Sequence, residues 1–342
     1  MRIVGILIVI GLLYYTFFVL LPSEVDWSEV WADLQALSAG EIAALFVAGL
    51  LVILVLGWTS KASLPGLTLY EGTESSVTTQ LSAFVFPPPS DMVIRFAMYR
   101  TYGFSDEQSA AAVIIAMVAR YATVLFMPLL GITLVLITGG GSWNWLFWLV
   151  LLGAVYAAGM WLILRIARSD SAAHKAGGWL QRLSERLFGL VHRTAPDTIA
   201  QNVVRFGAHT RSTIAGNGRV LVAANLAWGM SNVLVMGLVL RFSGLNSSDV
   251  PPAAIALTTG LLMAVNMLPI PGKDALVVGW IAAMLALTDS SEVSALGTAL
   301  LLYRMVTWIV PMPIGGIAFL AWRIRVGKDA ARPVGPGAQP VA

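Results

Sequence analysis

Residues 41–60 read EIAALFVAGLLVILVLGWTS, and no charged residue stands between Glu41 and Lys61. The hydrocarbon core of a bilayer is about 30 Å thick, and roughly 20 helical residues cross it. Inside lipid every backbone N–H and C=O group must be bonded within the protein, so a single spanning segment has to be a helix. The stretch therefore predicts a transmembrane helix.

Further segments share this length and apolar character, and the composition of the whole chain agrees with them. Hydrophobic residues make up 58% of the sequence, charged residues 11%, and the mean hydropathy is +0.80. A soluble protein carries roughly 25% charged residues, so lipid must be the solvent for most of this chain. We expect an all-α polytopic membrane protein with one transmembrane domain over residues 1–326. Including the quoted stretch, the predicted spans are 3–21, 41–60, 107–138, 143–165, 219–241 and 293–322.

Several function classes are excluded by the residues that the chain lacks. It has no cysteine and only three histidines, which follow no metal-binding spacing. It contains no phosphate-binding Walker loop, no H-E-x-x-H and no G-x-S-x-G motif. We therefore expect no metal, no cofactor and no enzymatic activity. The net charge of +3 comes from basic residues at the ends of apolar segments, which argues against a nucleic-acid partner.

Loop charges predict the orientation of the chain. Residues 22–41 contain five acidic residues and no lysine or arginine, whereas residues 165–219 are rich in arginine. Basic loops stay in the cytoplasm. We expect a multi-pass protein of the cell (inner or plasma) membrane with both termini cytoplasmic, and a disordered Pro/Gly/Ala-rich tail over 327–342. The first span should be retained, because no signal-peptide cleavage site of small residues follows it.

Two further apolar stretches, 74–102 and 251–287, are interrupted by proline. Proline removes a backbone donor and stops a helix. Each stretch therefore predicts either a re-entrant hairpin, which enters and leaves on one side, or two short spans joined by a polar turn, which would raise the total to eight spans. We favour the hairpins. The predicted helix breaks are Pro87, Pro88, Pro89, Pro269, Pro271 and Gly272.

The two broken stretches belong to an internal repeat, with units at about 74–138 and 251–322. In each unit a proline break is followed by a long helix with one arginine near its middle, and then by proline and glycine. Arg120 and Arg304 are separated by 184 residues (304 − 120). Basic residues precede the first long helix and acidic residues the second, so the units have opposite orientations. Inverted repeats with broken helices are typical of transporters.

Arg120 and Arg304 are the first candidates for a binding role. An ionisable residue deep in a bilayer is costly and is a functional candidate for that reason. A guanidinium donates two parallel hydrogen bonds, which suits the phosphate of a lipid headgroup. The alternative is a structural arginine that pairs with a carboxylate or with carbonyls freed at a proline break.

The proline breaks supply the other candidates. Ser90 and Asp91 follow the first break, and Lys273 and Asp274 follow the second. Both positions open a helix N-terminus, where free N–H groups favour an anion such as phosphate. Alternatively, Ser90 and Asp274 only cap their helices.

Two polar residues close to the breaks complete the set. Arg95 stands four residues after Asp91, on the same helical face. We expect Arg95 to join Lys273 and the two buried arginines in binding a lipid phosphate. Asn266 precedes the second break, where we interpret it as a hydrogen-bond latch.

The basic segment 166–218 contains apolar residues at helical spacing, beginning with Trp179. This pattern predicts an amphipathic helix, which would bind the anionic inner leaflet through residues 171–215. A solvated basic helix remains the alternative. The apolar positions are Trp179, Leu183, Leu187, Leu190 and Val191.

At these residues the chain resembles the transmembrane region of lysylphosphatidylglycerol synthases, over about residues 5–325. The motifs that carry the resemblance are Ser90-Asp91 with Arg95, Arg120, Pro269-x-Pro271-Gly272, and Tyr303-Arg304 followed by Pro311. Three positions depart from the family's pattern. Lys273 replaces a glycine, Val278 stands where the family carries a glutamate, and Ala119 replaces an acidic residue, for which Asp274 is a candidate substitute.

The resemblance implies a role in handling lipids. In the full synthases this region moves the aminoacylated lipid to the outer leaflet, and a separate soluble domain makes it. Because the sequence ends soon after the last predicted span, we expect no lysylphosphatidylglycerol synthesis by this chain. The leading hypothesis is a flippase-like lipid translocase for an anionic or lipid-linked headgroup. The second hypothesis is a membrane scaffold for envelope-synthesis enzymes, and the third is an intramembrane transferase that uses lipid-linked substrates. Membrane lipids are the expected partners, and a homo-oligomer or a synthase partner stays open.

Overall fold

The structure is a computed structural model, and it describes residues 35–85, 90–139, 143–190, 199–247, 250–267, 281–283 and 290–331. These residues form helices joined by short turns, with no strand among them. In chain order the helices are α1 (Ala39–Ser63), α2 (Leu69–Val85), α3 (Ser90–Thr101), α4 (Asp106–Ile137), α5 (Trp143–Arg168), α6 (Asp170–Leu190), α7 (Ile199–Phe242), α8 (Pro252–Val265), α9 (Ser290–Arg304) and α10 (Pro311–Ala331).

The expectation of an all-α polytopic membrane protein is confirmed. Within the described residues, five helical stretches are long and apolar enough to cross a membrane. Each overlaps one of the predicted spans, and the remaining predicted span, 3–21, lies outside the described residues. The five stretches are Ala39–Ser63, Asp106–Ile137, Trp143–Ile166, Gly216–Phe242 and Ala295–Gly327.

Two of the spanning helices begin at capping boxes. Ser38 accepts a hydrogen bond from the backbone N–H of Glu41, and the Glu41 carboxylate accepts one from the backbone of Ser38. Ser105 and Gln108 repeat this arrangement at the start of α4. Such reciprocal bonds satisfy N–H groups that a helix start leaves free, so these boundaries are set locally by the sequence.

Helices α2 and α3 pack against each other as a hairpin. The hydroxyl of Tyr102, just after α3, donates to the carboxylate of Glu74, near the start of α2, over 2.7 Å. The far ends of the two helices therefore lie together. With 12 residues, α3 is about 18 Å long, too short to cross the bilayer. The break itself, 86–89, lies outside the described residues.

Each hairpin helix packs against the long helix of the other repeat unit. Helix α8 packs against α4, and α2 packs against α10. A Cβ on Gly131 would lie 2.3 Å from the Cα of Leu257, and one on Gly315 would lie 2.4 Å from the carbonyl oxygen of Val77. These two glycines are 184 residues apart (315 − 131), the same separation as Arg120 and Arg304. The two units thus exchange equivalent contacts, at positions where only glycine fits.

The last spanning stretch, Ala295–Gly327, is not a regular α-helix throughout. A π-helical turn, Met305–Ile309, separates α9 from α10. Pro311 has no N–H group, so the carbonyl of Thr307 loses its partner in the next turn. The side-chain nitrogen of Gln80 on α2 donates to that carbonyl over 2.7 Å. A hydrogen bond between the repeat units therefore replaces the one that proline removes.

One predicted segment differs from the structure. Residues 199–218, assigned to a cytoplasmic loop, are the first part of α7, a single helix of 44 residues. Helix α6 lies in the predicted amphipathic segment and packs against α7 and α5, with Trp179 exposed. The side chains at 183, 187 and 190, and all of Val191, lie outside the described residues.

The predicted disordered tail begins too early. Helix α10 continues to Ala331, so disorder is wrong for residues 327–331. Lys328, Ala330 and Ala331 are good helix formers that extend the preceding helix, and Pro333 follows them. Residues 332–342 lie outside the described residues.

Candidate functional site

A cavity of about 510 Å³ lies between the two repeat units. Helices α1 and α7 contribute to its wall along with α2, α3, α4, α8 and the π-helical turn. Most of its lining is apolar or aromatic, but charged and amide side chains from several helices converge on it. The polar residues that matter most are Gln80, Asp91, Arg95, Arg120, Asn225, Asn232 and Asn266.

Hydroxyl groups hold the guanidinium of Arg95. One nitrogen donates to Ser60 on α1 and another to Thr79 on α2, each over 2.8 Å. Ser60 is also hydrogen-bonded to Ser76 over 2.8 Å. Among the described residues, Arg95 has no carboxylate within ion-pair distance, although Asp91 is one turn away. The neighbours therefore orient this cation without neutralising it.

Arg120 lies exposed on the cavity wall. Its guanidinium stands 4.9 Å above the ring of Trp228 on α7, a cation–π arrangement. Arg95 and Asp91 are both close enough to act on it electrostatically. Within the described part of the chain it forms no hydrogen bond and no ion pair. Its five donors are thus available to a molecule in the cavity.

Arg304 lies at the edge of the cavity rather than on its wall. Its guanidinium is 5.4 Å from the ring of Trp308 and 3.5 Å from the side-chain oxygen of Asn266. Asn266 is the C-cap of α8, so this helix ends just before the second predicted proline break. The equivalent arginines of the two repeat units thus each stack on a tryptophan beside the same cavity.

Sequence reasoning missed the polar face of α7. Asn225, Trp228 and Asn232 recur at helical spacing and line the cavity together. Both asparagines are buried, and Asn232 accepts a hydrogen bond from Tyr303 over 2.7 Å. Two asparagines seven positions apart in an otherwise apolar span were a readable signal. Gln80 was also missed, because only the tertiary contact with Thr307 explains it.

The structure brings together four of the predicted site residues, and places two others nearby. Asp91, Arg95, Arg120 and Asn266 line one cavity, and Arg304 adjoins it. The hydroxyl of Ser90 donates to the Ser82 carbonyl over 3.3 Å, across the hairpin. The others lie outside the described residues: Pro87, Pro88, Pro89, Pro269, Pro271, Gly272, Lys273 and Asp274.

The described residues offer an anion site rather than a metal site. No group of three or more His, Cys, Asp or Glu side chains that could hold a metal ion occurs among them. On the cavity wall two arginines face one aspartate, which leaves an excess of positive charge. In surroundings of low dielectric constant such an excess favours an anion that can accept several hydrogen bonds.

Comparison with known proteins agrees with this architecture. The family model described as "Lysylphosphatidylglycerol synthase TM region" matches residues 2–315 of the chain. None of the curated proteins and none of the solved structures matches it. The family match covers nearly all of the transmembrane part, including both arginines and both proline breaks. The chain therefore belongs to the lysylphosphatidylglycerol synthase TM region family and is a multi-pass membrane protein related to lipid handling.

Proposed function

We propose that the chain is a lipid translocase that binds the phosphate of an anionic membrane lipid in the cavity between the repeat units. The observation that carries this proposal is the guanidinium of Arg120. It is exposed to the cavity, has no hydrogen-bond partner among the described residues, and lies beside the equally unneutralised Arg95. A cation in this position is costly unless an anion binds there.

The dimensions of the cavity agree with a headgroup as the occupant. Its volume of about 510 Å³ falls within the range of about 300–1,000 Å³ that is usual for small-molecule sites. Such a space accepts a phosphate with a small polar group attached, while the acyl chains stay in the bilayer. The mostly aromatic and apolar walls lower the dielectric constant around the arginines, which strengthens their attraction for a phosphate.

The proposal includes an orientation for the chain and a driving force for transport. Both termini and the basic segment would lie in the cytoplasm of a cell membrane, as the loop charges predict. Helix α6 would contact the anionic inner leaflet. Because the sequence has no nucleotide-binding motif, we propose that an ion gradient or a downhill lipid distribution drives transport.

Reconstitution of the purified chain into vesicles tests the proposal. The rate at which a fluorescent anionic phospholipid changes leaflet would be measured for the native chain and for Arg120→Ala. We expect a fall of about 10- to 100-fold, because hydrogen bonds to charged groups contribute about 1.5–3 kcal/mol. Arg304→Ala should show a smaller loss, since Arg304 adjoins the cavity without lining it.

The matched control is Arg165→Ala. Arg165 on α5 also stacks on a tryptophan, with its guanidinium 4.8 Å from the ring of Trp161, but it does not line the cavity. Native transport in this variant would show that loss of a stacked arginine does no general damage. Native transport in Arg120→Ala, or an equal loss in both variants, contradicts the proposal.

A second candidate function, a membrane scaffold, is favoured by the length of α7. Its 44 residues measure about 66 Å, roughly twice the thickness of the hydrocarbon core. The part before Gly216 would therefore extend beyond the bilayer, and α7 packs against α6. If the chain recruits envelope-synthesis enzymes, deletion of residues 171–215 should abolish recruitment, and removal of both Arg120 and Arg304 should leave it intact.

A further inference from the structure

A second cluster of polar residues lies outside the cavity and joins the two repeat units. The carboxylate of Glu74 on α2 is buried, with 2% of its side chain exposed, and forms an ion pair with Arg325 on α10. Tyr102 donates to the same carboxylate over 2.7 Å. Burial, and then the hydrogen bond to Glu74, raise the pKa of Tyr102, which keeps its hydroxyl a donor.

A neighbouring contact fastens the same helix to the same hairpin. The ring nitrogen of Trp322 on α10 donates to the hydroxyl of Thr101, at the end of α3, over 2.8 Å. Arg325 also stands 5.7 Å above the ring of Tyr70, at the start of α2. Two hydrogen-bonded contacts and a cation–π contact thus hold the last turns of the described α10 against the open end of the first hairpin.

A buried ion pair is poor evidence for stability, because desolvation of two charges offsets most of their attraction. The best-attested role of a buried ion pair is to favour one packing of helices over another. Here the carboxylate and the guanidinium come from opposite repeat units, and the side chain of Arg325 is 46% exposed. The pair can therefore separate from the solvent side without unfolding either helix.

The opposite end of α10 carries a hinge. The π-helical turn Met305–Ile309 and Pro311 interrupt the regular hydrogen bonds there, and such interruptions are where helices bend. Thr307 and Trp308 of this turn line the cavity, as does Gln80 of α2. Helix α2 and the π-helical turn thus form one wall of the cavity, and the seam between α2 and α10 begins at this wall. The ion pair lies about 21 Å farther along α10.

We propose that α10 is a gate of the cavity, hinged at the π-helical turn and held shut by Glu74 and Arg325. When the ion pair separates, α10 tilts away from α2 and opens the cavity to the side of the membrane on which α10 ends. The headgroup reaches Arg120 through this opening. The inference rests on the proposed lipid transport for its purpose, but the movement of α10 can be measured on its own.

Cross-linking tests the gate directly, because the chain has no cysteine of its own. In a Thr101→Cys/Trp322→Cys variant, a bifunctional methanethiosulfonate would bridge α3 and α10 through disulfides. We expect the bridged protein to transport a fluorescent anionic phospholipid at least about 10-fold more slowly than the unbridged protein, with recovery after reduction. Transport at the unbridged rate overturns the gate.

The control pair is Arg100→Cys/Asp106→Cys. These residues form an ion pair between α3 and α4 close to the same end of the hairpin, but the pair does not cross the seam between α2 and α10. The same reagent should bridge them without slowing transport. Equal losses in both bridged proteins would mean that any restraint of the hairpin stops transport, and the assignment to α10 would fail.

A second measurement needs no transport assay. Ala116 lines the cavity and is small, so Ala116→Cys places one thiol there. We expect a membrane-impermeant maleimide, added on the side where α10 ends, to label this thiol about 10-fold faster in a Glu74→Gln background, because a broken buried pair shifts a two-state equilibrium by at least that factor. Unchanged labelling overturns the gate. Faster labelling in a protein that moves no lipid would retain the gate and reject the proposed transport.

Discussion

Two tyrosines in the protein interior differ in whether their hydroxyl groups have a partner. Tyr303 is 3% exposed and donates to Asn232, whereas Tyr99 is fully buried and its hydroxyl has no partner among the described residues. In a membrane a polar side chain stabilises the fold, beyond its packing, through the hydrogen bond that it forms to another helix. The same atom is therefore expected to stabilise the fold at one position and to cost free energy at the other.

Removing these two hydroxyls should have opposite effects on stability. We expect Tyr303→Phe to lower the free energy of unfolding by about 0.6–1.7 kcal/mol, from the average to the maximum found for hydrogen bonds between transmembrane helices. Tyr99→Phe should leave stability unchanged or raise it, because an unpaired buried hydroxyl is lost. Thermal unfolding of both variants in one detergent provides the comparison. Equal destabilisation would show that ring packing, rather than the hydrogen bond, governs position 303.

Neighbouring glycines on α10 offer a second test at this scale. A Cβ on Gly315 would lie 2.4 Å from the carbonyl oxygen of Val77, whereas one on Gly316 meets nothing within 4 Å. We expect Gly315→Ala to cost about 1–3 kcal/mol, as overpacking does. Gly316→Ala should be neutral or stabilising by up to about 1 kcal/mol, since alanine restricts the unfolded chain. A similar shift in unfolding temperature for both variants would exclude the close approach of α2 and α10.

At the scale of elements, the helix break before Pro311 depends on a side chain from elsewhere in the fold. Proline removes one backbone donor, and Gln80 supplies the missing hydrogen bond to Thr307. The oxygen of the Gln80 amide is buried without a partner among the described residues. The helix break therefore still costs free energy, because this oxygen is unpaired. A costly break is consistent with a helix that bends at this point.

A double-mutant cycle measures this dependence. Gln80→Leu should destabilise the native chain by about 1–3 kcal/mol, because the Thr307 carbonyl is left unsatisfied. In a Pro311→Ala background the restored N–H group can bond to that carbonyl, so the same substitution should cost at least about 0.5 kcal/mol less. Additive effects in thermal unfolding would mean that Gln80 acts independently of the helix break.

At the scale of the whole molecule, the two predicted repeat units exchange their contacts around the helices α1 and α7. Helix α4 of the first unit supports α8 of the second, and α10 of the second supports α2 of the first. The cavity lies where both units meet, as expected for transporters built from inverted repeats. Neither unit encloses the cavity alone, so the site exists only in the assembled fold.

Cysteine labelling in intact cells tests the orientation of this assembly. Single cysteines in place of Lys61 and Arg323 should react only with reagents that reach the cytoplasm, because both follow spans that run inward under the loop-charge rule. Single cysteines in place of Thr138 and Asn246 should react with membrane-impermeant reagents from outside. Labelling of Arg323→Cys from outside would reverse the orientation and, with it, the side on which the proposed gate opens.

The amino-acid sequence by itself determined the class of the fold, and it predicted two repeat units. Uncharged stretches of membrane length can only be helices in lipid, and capping boxes such as Ser38 with Glu41 set helix starts through neighbouring residues. Arg120 and Arg304 were identifiable because a cation in an apolar span is rare. These inferences rest on local chemistry and need no knowledge of neighbouring helices.

Only the tertiary structure decided which polar residues share a cavity and which of them are held in place. Arg95 turns to Ser60 and Thr79 rather than to the nearer Asp91, and Glu74 meets a guanidinium 251 residues away. Such pairings depend on how helices distant in sequence pack against each other. The spacing of these residues along the chain does not predict that packing. The exchange of helices between the repeat units creates these contacts, and with them the cavity and its proposed gate.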